Sequence, residues 1–284
     1  MTQPPSVLLG LIGAGIQASR TPAMHEREAD AQGLRLQYKL IDLTALNLTA
    51  DALPELLIAA ERMGFAGLNI THPCKQSVIS LLHTLSEDAR TLGAVNTVTL
   101  RNGRRTGHNT DLFGFAEAFR RAMSDAPRKR VVQLGAGGAG SAVAYAAMTL
   151  GVEQLTIIDV EPARANTLAE RLCSVFGAGR AVTAASATEA MAGADGLINT
   201  TPIGMDKYPG LPLPENLLHP VQWVAEIIYF PMETALLRVA RQRGCRTMDG
   251  GGMAVFQASE AFRLFTGVDP DTARMQRHFS EMGT

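Results

Sequence analysis

One stretch of this 284-residue sequence can bind a phosphate-bearing ligand: Val131-Val132-Gln133-Leu134-Gly135-Ala136-Gly137-Gly138-Ala139-Gly140. Its first four residues read as a buried strand, and Gly135, Gly137 and Gly140 have the G-x-G-x-x-G spacing. The first glycine lets the chain turn tightly off a strand. The second lets a pyrophosphate approach the backbone, and the third lets helix and strand pack closely. Free N–H groups at the start of the next helix, expected over 141–150, would face the anion. A second expected strand, 154–158, runs into Asp159, nineteen residues after Gly140. An acid there can accept both ribose hydroxyls of an adenosine. The alternative is a tight βα turn without a ligand; the strand–turn–helix context favours a dinucleotide.

A second group of polar residues lies beside other expected strands, where ligands bind in open α/β sheets. Ser19 and Thr21 follow the apolar run 7–12, and Thr71 and Lys75 follow 67–70. Asn96 precedes the strand 97–100, and Asp111 follows the run 104–107. Two hydroxyls flanking a helix start suit a small anion such as a carboxylate. Thr21 also reads as the N-cap of a helix opening at Pro22, and capping alone accounts for it equally well. Thr71 and Asn96 read equally as caps and loop-satisfying groups. Lys75 reads as a solvated lysine, although a cation at a helix start opposes the helix dipole by a few tenths of a kcal/mol.

The elements that must position these groups alternate. Strands at 7–12, 36–41 and 67–70, each followed by a helix, imply a mainly parallel sheet; the helices expected there include 53–63 and 76–82. Asn102-Gly103 between 97–100 and 104–107 is a strong hairpin signal. A helix over 112–123 leads to the glycine turn. Beyond Asp159, helices are expected at 164–176, 188–192, 234–243, 253–265 and 271–282, with strands at 180–183, 196–198, 223–228 and 246–248. Gly13-Ala14-Gly15, with Asp42 at the end of the next run, imitates a second nucleotide turn. It is set aside because no helix opens at Gly15. The expected domains are 1–108, 109–250 and a C-terminal segment 251–284.

Composition narrows the function classes. Hydrophobic residues make up 46% and charged residues 19%, which supports a packed core. Net charge is −1, without a basic stripe, so no nucleic-acid partner is expected. Cys74, Cys173 and Cys245 form no C-x-x-C pair, so neither a disulfide frame nor a cysteine-built metal site is indicated. Met1-Thr2-Gln3-Pro4-Pro5 lacks the charged and apolar regions of a signal peptide, and no apolar run reaches membrane-spanning length. A cytoplasmic protein without a membrane partner is expected.

The order and spacing of these groups resemble the shikimate dehydrogenase family, including its quinate/shikimate branch, over nearly the whole chain. Ser19-Arg20-Thr21-Pro22-Ala23-Met24-His25 resembles its S-x-S/T-x-P-x-x-H segment, and Asn69-Ile70-Thr71-His72-Pro73-Cys74-Lys75 its N-V-T-x-P-x-K segment. Ala94-Val95-Asn96-Thr97, Gly107-His108-Asn109-Thr110-Asp111, the loop from Asn199 to Met205, and Gly250, Met253 and Gln257 resemble four further elements. The resemblance implies an N-terminal α/β substrate domain, a Rossmann domain and C-terminal helices that return to the first domain. It implies that Ser19 and Thr21 hold the carboxylate of a cyclic polyol acid such as shikimate or quinate. Thr71, Asn96 and Gln257 would hold ring hydroxyls, with Tyr229 lining the same site. Lys75 and Asp111 would be the catalytic pair at the hydroxyl being oxidised. Gly135, Ala136, Gly137, Gly138, Ala139, Asp159, Arg164, Thr201, Ile227, Gly250 and Met253 would serve the cofactor.

The residue types suit that chemistry. Oxidising a secondary alcohol removes a hydride, which a nicotinamide accepts, and a proton, which a lysine can take and return. Asp159-Val160-Glu161 stands where NADP-type members resemble an Asn-Arg-Thr segment, so NAD is expected in preference to NADP; Arg164 would soften the repulsion of a 2′-phosphate. Thr21 in place of serine, Ala18 in place of histidine, and His72 and Cys74 in the lysine turn mark a side branch. Quinate and an aminated shikimate therefore stand beside shikimate as substrates. A catalytically silent metabolite- or NAD-sensing module is the rival class. A monomer or homodimer is expected.

Overall fold

The computed structural model describes residues 6–282, so the reading of Met1–Pro5 lies outside the described residues. The chain divides into two compact units. One runs to Gly114 and resumes at Val255; the other is Phe115–Ala254.

The first unit contains β1 (Ser6–Gly13), α1 (Thr21–Ala31), β2 (Arg35–Asp42), α2 (Leu53–Arg62), β3 (Gly67–Ile70), β4 (Thr84–Leu85), α3 (Glu87–Leu92), β5 (Thr97–Arg101) and β6 (Arg104–His108). Leu9 and Ile12 of β1 are fully buried, as an uninterrupted apolar run requires. Strand order is β2-β1-β3-β5-β6-β4. β1 runs parallel to β2 and β3, whereas β5 is antiparallel to both β3 and β6. The sheet is therefore mixed, and the expected parallel arrangement holds for its first three strands. Asn102 and Gly103, with φ of 52° and 70°, supply the two left-handed residues that reverse the chain between β5 and β6.

Two short elements here, β4 and α3, lack enough residues to show a period in the sequence. Ser86 caps α3 by accepting the Ala89 N–H, and Gly93, at φ 61°, ends it. The helix expected over 76–82 is a 3-10 turn, Ser77–Leu81. The Lys75 carbonyl accepts the Val95 N–H at 2.9 Å instead of serving a helical ladder, and Ile79 N–H bonds Gln76 one residue short of α spacing.

The second unit follows helix α4 (Thr110–Met123). It contains β7 (Arg130–Leu134), α5 (Gly138–Thr149), β8 (Gln154–Ile158), α6 (Pro162–Phe176), β9 (Ala181–Thr183), α7 (Ala187–Met191), β10 (Gly196–Asn199), β11 (Trp223–Glu226), α8 (Ala235–Gln242) and β12 (Arg246–Met248). The order β12-β11-β10-β7-β8-β9, parallel throughout, is the doubly wound Rossmann arrangement, and the strand order reverses between β7 and β10. α5 opens three residues before its expected start, because a glycine-rich first turn carries no apolar period. Trp223 anchors this core: it is 2% exposed, donates its Nε1–H to Pro127 at 2.8 Å, and meets Phe119 edge-on at 5.0 Å. A Cβ at Gly196 would sit 2.0 Å from its ring.

Helices α9 (Gly250–Thr266) and α10 (Thr272–Glu281) return to the first unit. Phe262 and Phe265 pack with Leu9, Leu11 and Tyr38. Arg274 of α10 grips the buried Glu28 of α1 with two bonds, of 2.7 and 2.8 Å. Among the described residues no helix is long and apolar enough to cross a membrane.

Candidate active site

In the first unit, the turn after β3 and the start of α4 bring Lys75 and Asp111 together. Thr71 N–H bonds Ile12 and Cys74 N–H bonds Thr71, which closes the turn, and Cys74 is buried in the core beneath it. The backbone bond from Val95 to Lys75 brings this turn beside Asn96. Asn109 accepts the Asp111 N–H and donates its amide to Ala94, so the first turn of α4 is tied to the same segment. Lys75 Nζ then donates to Asp111 Oδ2 at 2.6 Å, although the residues are 36 positions apart. The lysine side chain is 20% exposed and the carboxylate 6%. The Asp111 Oδ1 accepts the Asn96 Nδ2–H at 2.9 Å.

Asn96 is 5% exposed and its amide is fully engaged. Its Nδ2 also donates to Thr110 Oγ1 at 3.0 Å, while its Oδ1 accepts from Thr110 N–H at 2.7 Å and from Thr97 Oγ1 at 2.9 Å. Thr71 lies against Gly13, whose Cβ would stand 2.2 Å from the threonine methyl. Gln257 lies half-buried on α9.

Ser19 and Thr21 flank the start of α1, and Ser19 Oγ accepts the Thr21 N–H at 3.3 Å. The N-cap reading of Thr21 is corrected. Thr21 is the first helical residue, and the preceding Arg20 has a helical φ and ψ of −85° and −7°. Arg20, at the N-cap position, makes no side-chain cap bond, because a capping residue needs an extended backbone that this turn does not offer, and Ser19 reaches the Thr21 N–H from one residue further back.

The second unit carries the expected cofactor residues. Two of the three motif glycines answer to one side chain. A Cβ at Gly135, where φ is 97°, would lie 2.6 Å from Thr200 Oγ1, and one at Gly140 would lie 2.7 Å from the same atom. Thr200 holds that position by donating to the Leu134 and Gly135 carbonyls. At Gly137 and Gly138 a Cβ would meet nothing within 4 Å, and no side chain caps α5. This half of the loop has both the space and the uncapped N–H groups that a pyrophosphate needs.

Asp159 follows β8. Its Oδ2 accepts the Ala136 N–H at 2.7 Å and its Oδ1 the Glu161 N–H at 2.9 Å. One bond per oxygen leaves acceptor capacity on both. Arg164 is paired with Glu161 at 2.9 Å, with both side chains more than half exposed. Thr201 donates to Asn199 Oδ1. Gly250 opens α9 against β11's continuation, where a Cβ would stand 2.4 Å from the Ile227 carbonyl. Met253 is buried, and Tyr229 is 36% exposed.

Sequence reasoning missed Glu226. This fully buried carboxylate ends β11 and accepts from Asn199 Nδ2 at 3.0 Å, Ile228 N–H at 3.2 Å and Thr234 Oγ1 at 3.2 Å. Burial pushes its pKa up to about 7. It joins the Asn199 loop to the Ile227–Ile228 backbone. Its only sequence signal was an acid inside an apolar run. Among the described residues no cluster of acids, histidines and cysteines could hold a metal ion.

Comparison with known proteins bears on the family and the fold. Residues 11–98 match the family model described as the shikimate dehydrogenase substrate binding domain. A Streptomyces avermitilis protein named shikimate dehydrogenase (NADP(+)) is 56% identical over 284 residues, covering 99% of this chain and 97% of that relative. A Corynebacterium efficiens protein named quinate/shikimate dehydrogenase (NAD(+)) is 51% identical, covering 96% of this chain and 98% of the relative. The solved structure of quinate dehydrogenase from Corynebacterium glutamicum in complex with NAD superposes with a TM-score of 0.92 at 46% identity, covering 97% of this chain and 99% of that one.

Proposed function

The chain belongs to the shikimate dehydrogenase family, and we propose that it catalyses reversible hydride transfer between NAD and the C3 hydroxyl of shikimate, giving 3-dehydroshikimate and NADH. The observation that carries this reading is the Lys75–Asp111 contact, an ammonium and a carboxylate brought together across 36 positions. When bound, the nicotinamide supplies the hydride acceptor and donor. The protein moves the proton. Asp111 has one oxygen on Asn96 and the other on Lys75, and it is the more buried of the two side chains. It therefore stands behind the lysine. In its amine form Lys75 Nζ takes the hydroxyl proton during oxidation; the ammonium so formed, oriented and balanced by Asp111, returns that proton during reduction.

Ser19 and Thr21, which flank the start of α1, receive the substrate carboxylate. Thr71 and Gln257 contact ring hydroxyls. Asn96, with its amide committed, serves by holding Asp111 in place. Gly137, Gly138 and Ala139 would hold the pyrophosphate, with Ala136 beside it tying the loop to Asp159, Asp159 would hold the adenosine ribose, and Thr201, Ile227, Gly250 and Met253 the remainder of the dinucleotide.

NAD is the preferred cofactor on this reading. A 2′-phosphate at 4 Å from the Asp159 carboxylate costs on the order of 4 kcal/mol at an effective dielectric of 20, or about a thousandfold in affinity before salt screening. Arg164 offers little relief, because Glu161 already engages it. Quinate is a second substrate. Thr21, with its added methyl, replaces the more frequent serine at the carboxylate site, and the relatives in Corynebacterium are named for quinate.

The test is NADH absorbance on mixing the protein with NAD and shikimate, then quinate, then with NADP in place of NAD. Turnover with NAD and shikimate is expected; silence with every combination would favour the sensing module. Lys75→Ala is expected to keep NAD binding, measured by fluorescence titration, and to lose about 10²–10⁴ in turnover. Near wild-type turnover in that variant would remove Lys75 from the mechanism.

A further inference from the structure

We propose that Tyr38 is a positioning residue for the Lys75–Asp111 pair, acting through a one-way chain of side-chain hydrogen bonds that ends on the Asp111 carboxylate. The proposal rests on the reading of that pair as the proton-transfer machinery.

The chain crosses the sheet of the first unit. Tyr38 lies on β2 and is 7% exposed. Its hydroxyl donates to Asn69 Oδ1 on β3 at 2.7 Å. Asn69 Nδ2 donates to Thr97 Oγ1 on β5 at 3.0 Å, Thr97 Oγ1 to Asn96 Oδ1 at 2.9 Å, and Asn96 Nδ2 to Asp111 Oδ1 at 2.9 Å. Register brings these residues together: Asn69 stands opposite Thr97 in the antiparallel β3–β5 pair.

The direction of each bond is determined by a neighbour that can play only one part. Asn69 Nδ2 also faces the Asn96 carbonyl, at 3.2 Å, which only accepts. The other end of that amide, facing Tyr38, must therefore be the oxygen, and the phenol must donate. Asn96 Oδ1 faces the Thr110 N–H, which only donates, so the Asn96 amide is oriented with its nitrogen towards Asp111. Thr97 Oγ1 lies between an amide nitrogen and an amide oxygen, so it accepts from Asn69 and donates to Asn96. Burial keeps the Tyr38 phenol protonated by raising its pKa well above the ordinary value.

Every donor thus points from Tyr38 towards the carboxylate. Bonds aligned head to tail polarise one another, and the last bond, on a charged acceptor, gains most. Loss of the first donor leaves Asn69 Oδ1 without its partner in a partly buried site and loosens the amides that hold Asp111 behind Lys75.

The experiment uses the full chain with NAD and shikimate. Tyr38→Phe keeps the ring beside His25, whose centroid is 5.0 Å away, and removes only the hydroxyl. Thr97→Val breaks the chain at its middle, and Thr97→Ser restores the hydroxyl there. Tyr38→Phe and Thr97→Val are expected to lower kcat by roughly three- to tenfold with KM for NAD unchanged, and Thr97→Ser to recover most of it. A purely structural role would lower the melting temperature and leave kcat, measured well below it, at the wild-type value. Unchanged kcat in Tyr38→Phe overturns the proposal, as does a loss in Thr97→Val that Thr97→Ser fails to recover. Lys75→Ala separates the two levels of argument. If it is inactive while Tyr38→Phe is normal, only the chain fails; if it is active, the reading beneath fails.

Discussion

The molecule contains two strand-to-helix turns built from nearly the same local sequence, and they serve different ends. β1 ends on Gly13, with Ala14 and Gly15 next and Asp42 closing β2; after β7 come Gly135, Ala136 and Gly137, with Asp159 following β8. In both, the acid accepts a backbone N–H from the glycine turn. Asp42 also takes Ile16 N–H, Thr44 N–H and the Gln17 amide, and it is 3% exposed. Gln17, with the Gly15, Thr44 and Ile16 amides, holds its carboxyl below the usual range. Four donors leave it no capacity for a ligand, and helix α1 waits until Thr21. Asp159 has two donors, and α5 opens at Gly138 with its N-terminal groups uncapped. An acid at a strand end becomes a structural lock or an open acceptor according to how many local donors reach it. Glu226 is a third case: wholly buried, and bonded to three neighbouring groups.

That contrast can be broken experimentally. The largest effect is expected from Asp159→Asn, which removes the charge from the open acceptor. The NADP-to-NAD ratio of kcat/KM should rise by up to about a thousandfold, and an unchanged ratio would show that the carboxylate does not discriminate. Next is the pH dependence of stability. The folded-state pKa of Glu226 lies above its ordinary value, so its contribution is fully present below about 4.5 and is lost as pH rises through about 7. That loss amounts to roughly 3 kcal/mol. Urea melts across this window should show wild-type stability declining and a flatter curve for Glu226→Gln; parallel curves would contradict the assignment. The smallest effects compare glycines. Gly13→Ala drives a Cβ to 2.2 Å from the Thr71 methyl and should cost about 1–3 kcal/mol. Gly137→Ala meets no atom within 4 Å and should leave the melting temperature unchanged while raising KM for NAD. A destabilised Gly137→Ala would mean that the open half of the loop is not open.

Much of the fold was legible in the chain itself. The glycine turn, the Asn102-Gly103 hairpin and the alternation of strands and helices are local, and local chemistry dictates them. The family resemblance singled out Lys75 and Asp111. Short elements were invisible: β4 and α3 span fewer residues than a period needs. The sequence of the 3-10 turn at Ser77–Leu81 reads as a helix because the competing bond, from Val95 to the Lys75 carbonyl, comes from a distant segment.

The amino-acid order alone determined which groups stand at strand ends, because side-chain periodicity and glycine chemistry are written within a few residues. Only the tertiary structure decided what each of those groups is free to do. It commits the Asn96 amide to its neighbours, shuts Asp42 and leaves Asp159 open. It also lines up Tyr38, Asn69 and Thr97 behind Asp111. These outcomes depend on strand register and burial, which bring donors together from segments tens of residues apart, and a hydrogen bond has no counterpart in sequence spacing until that register exists.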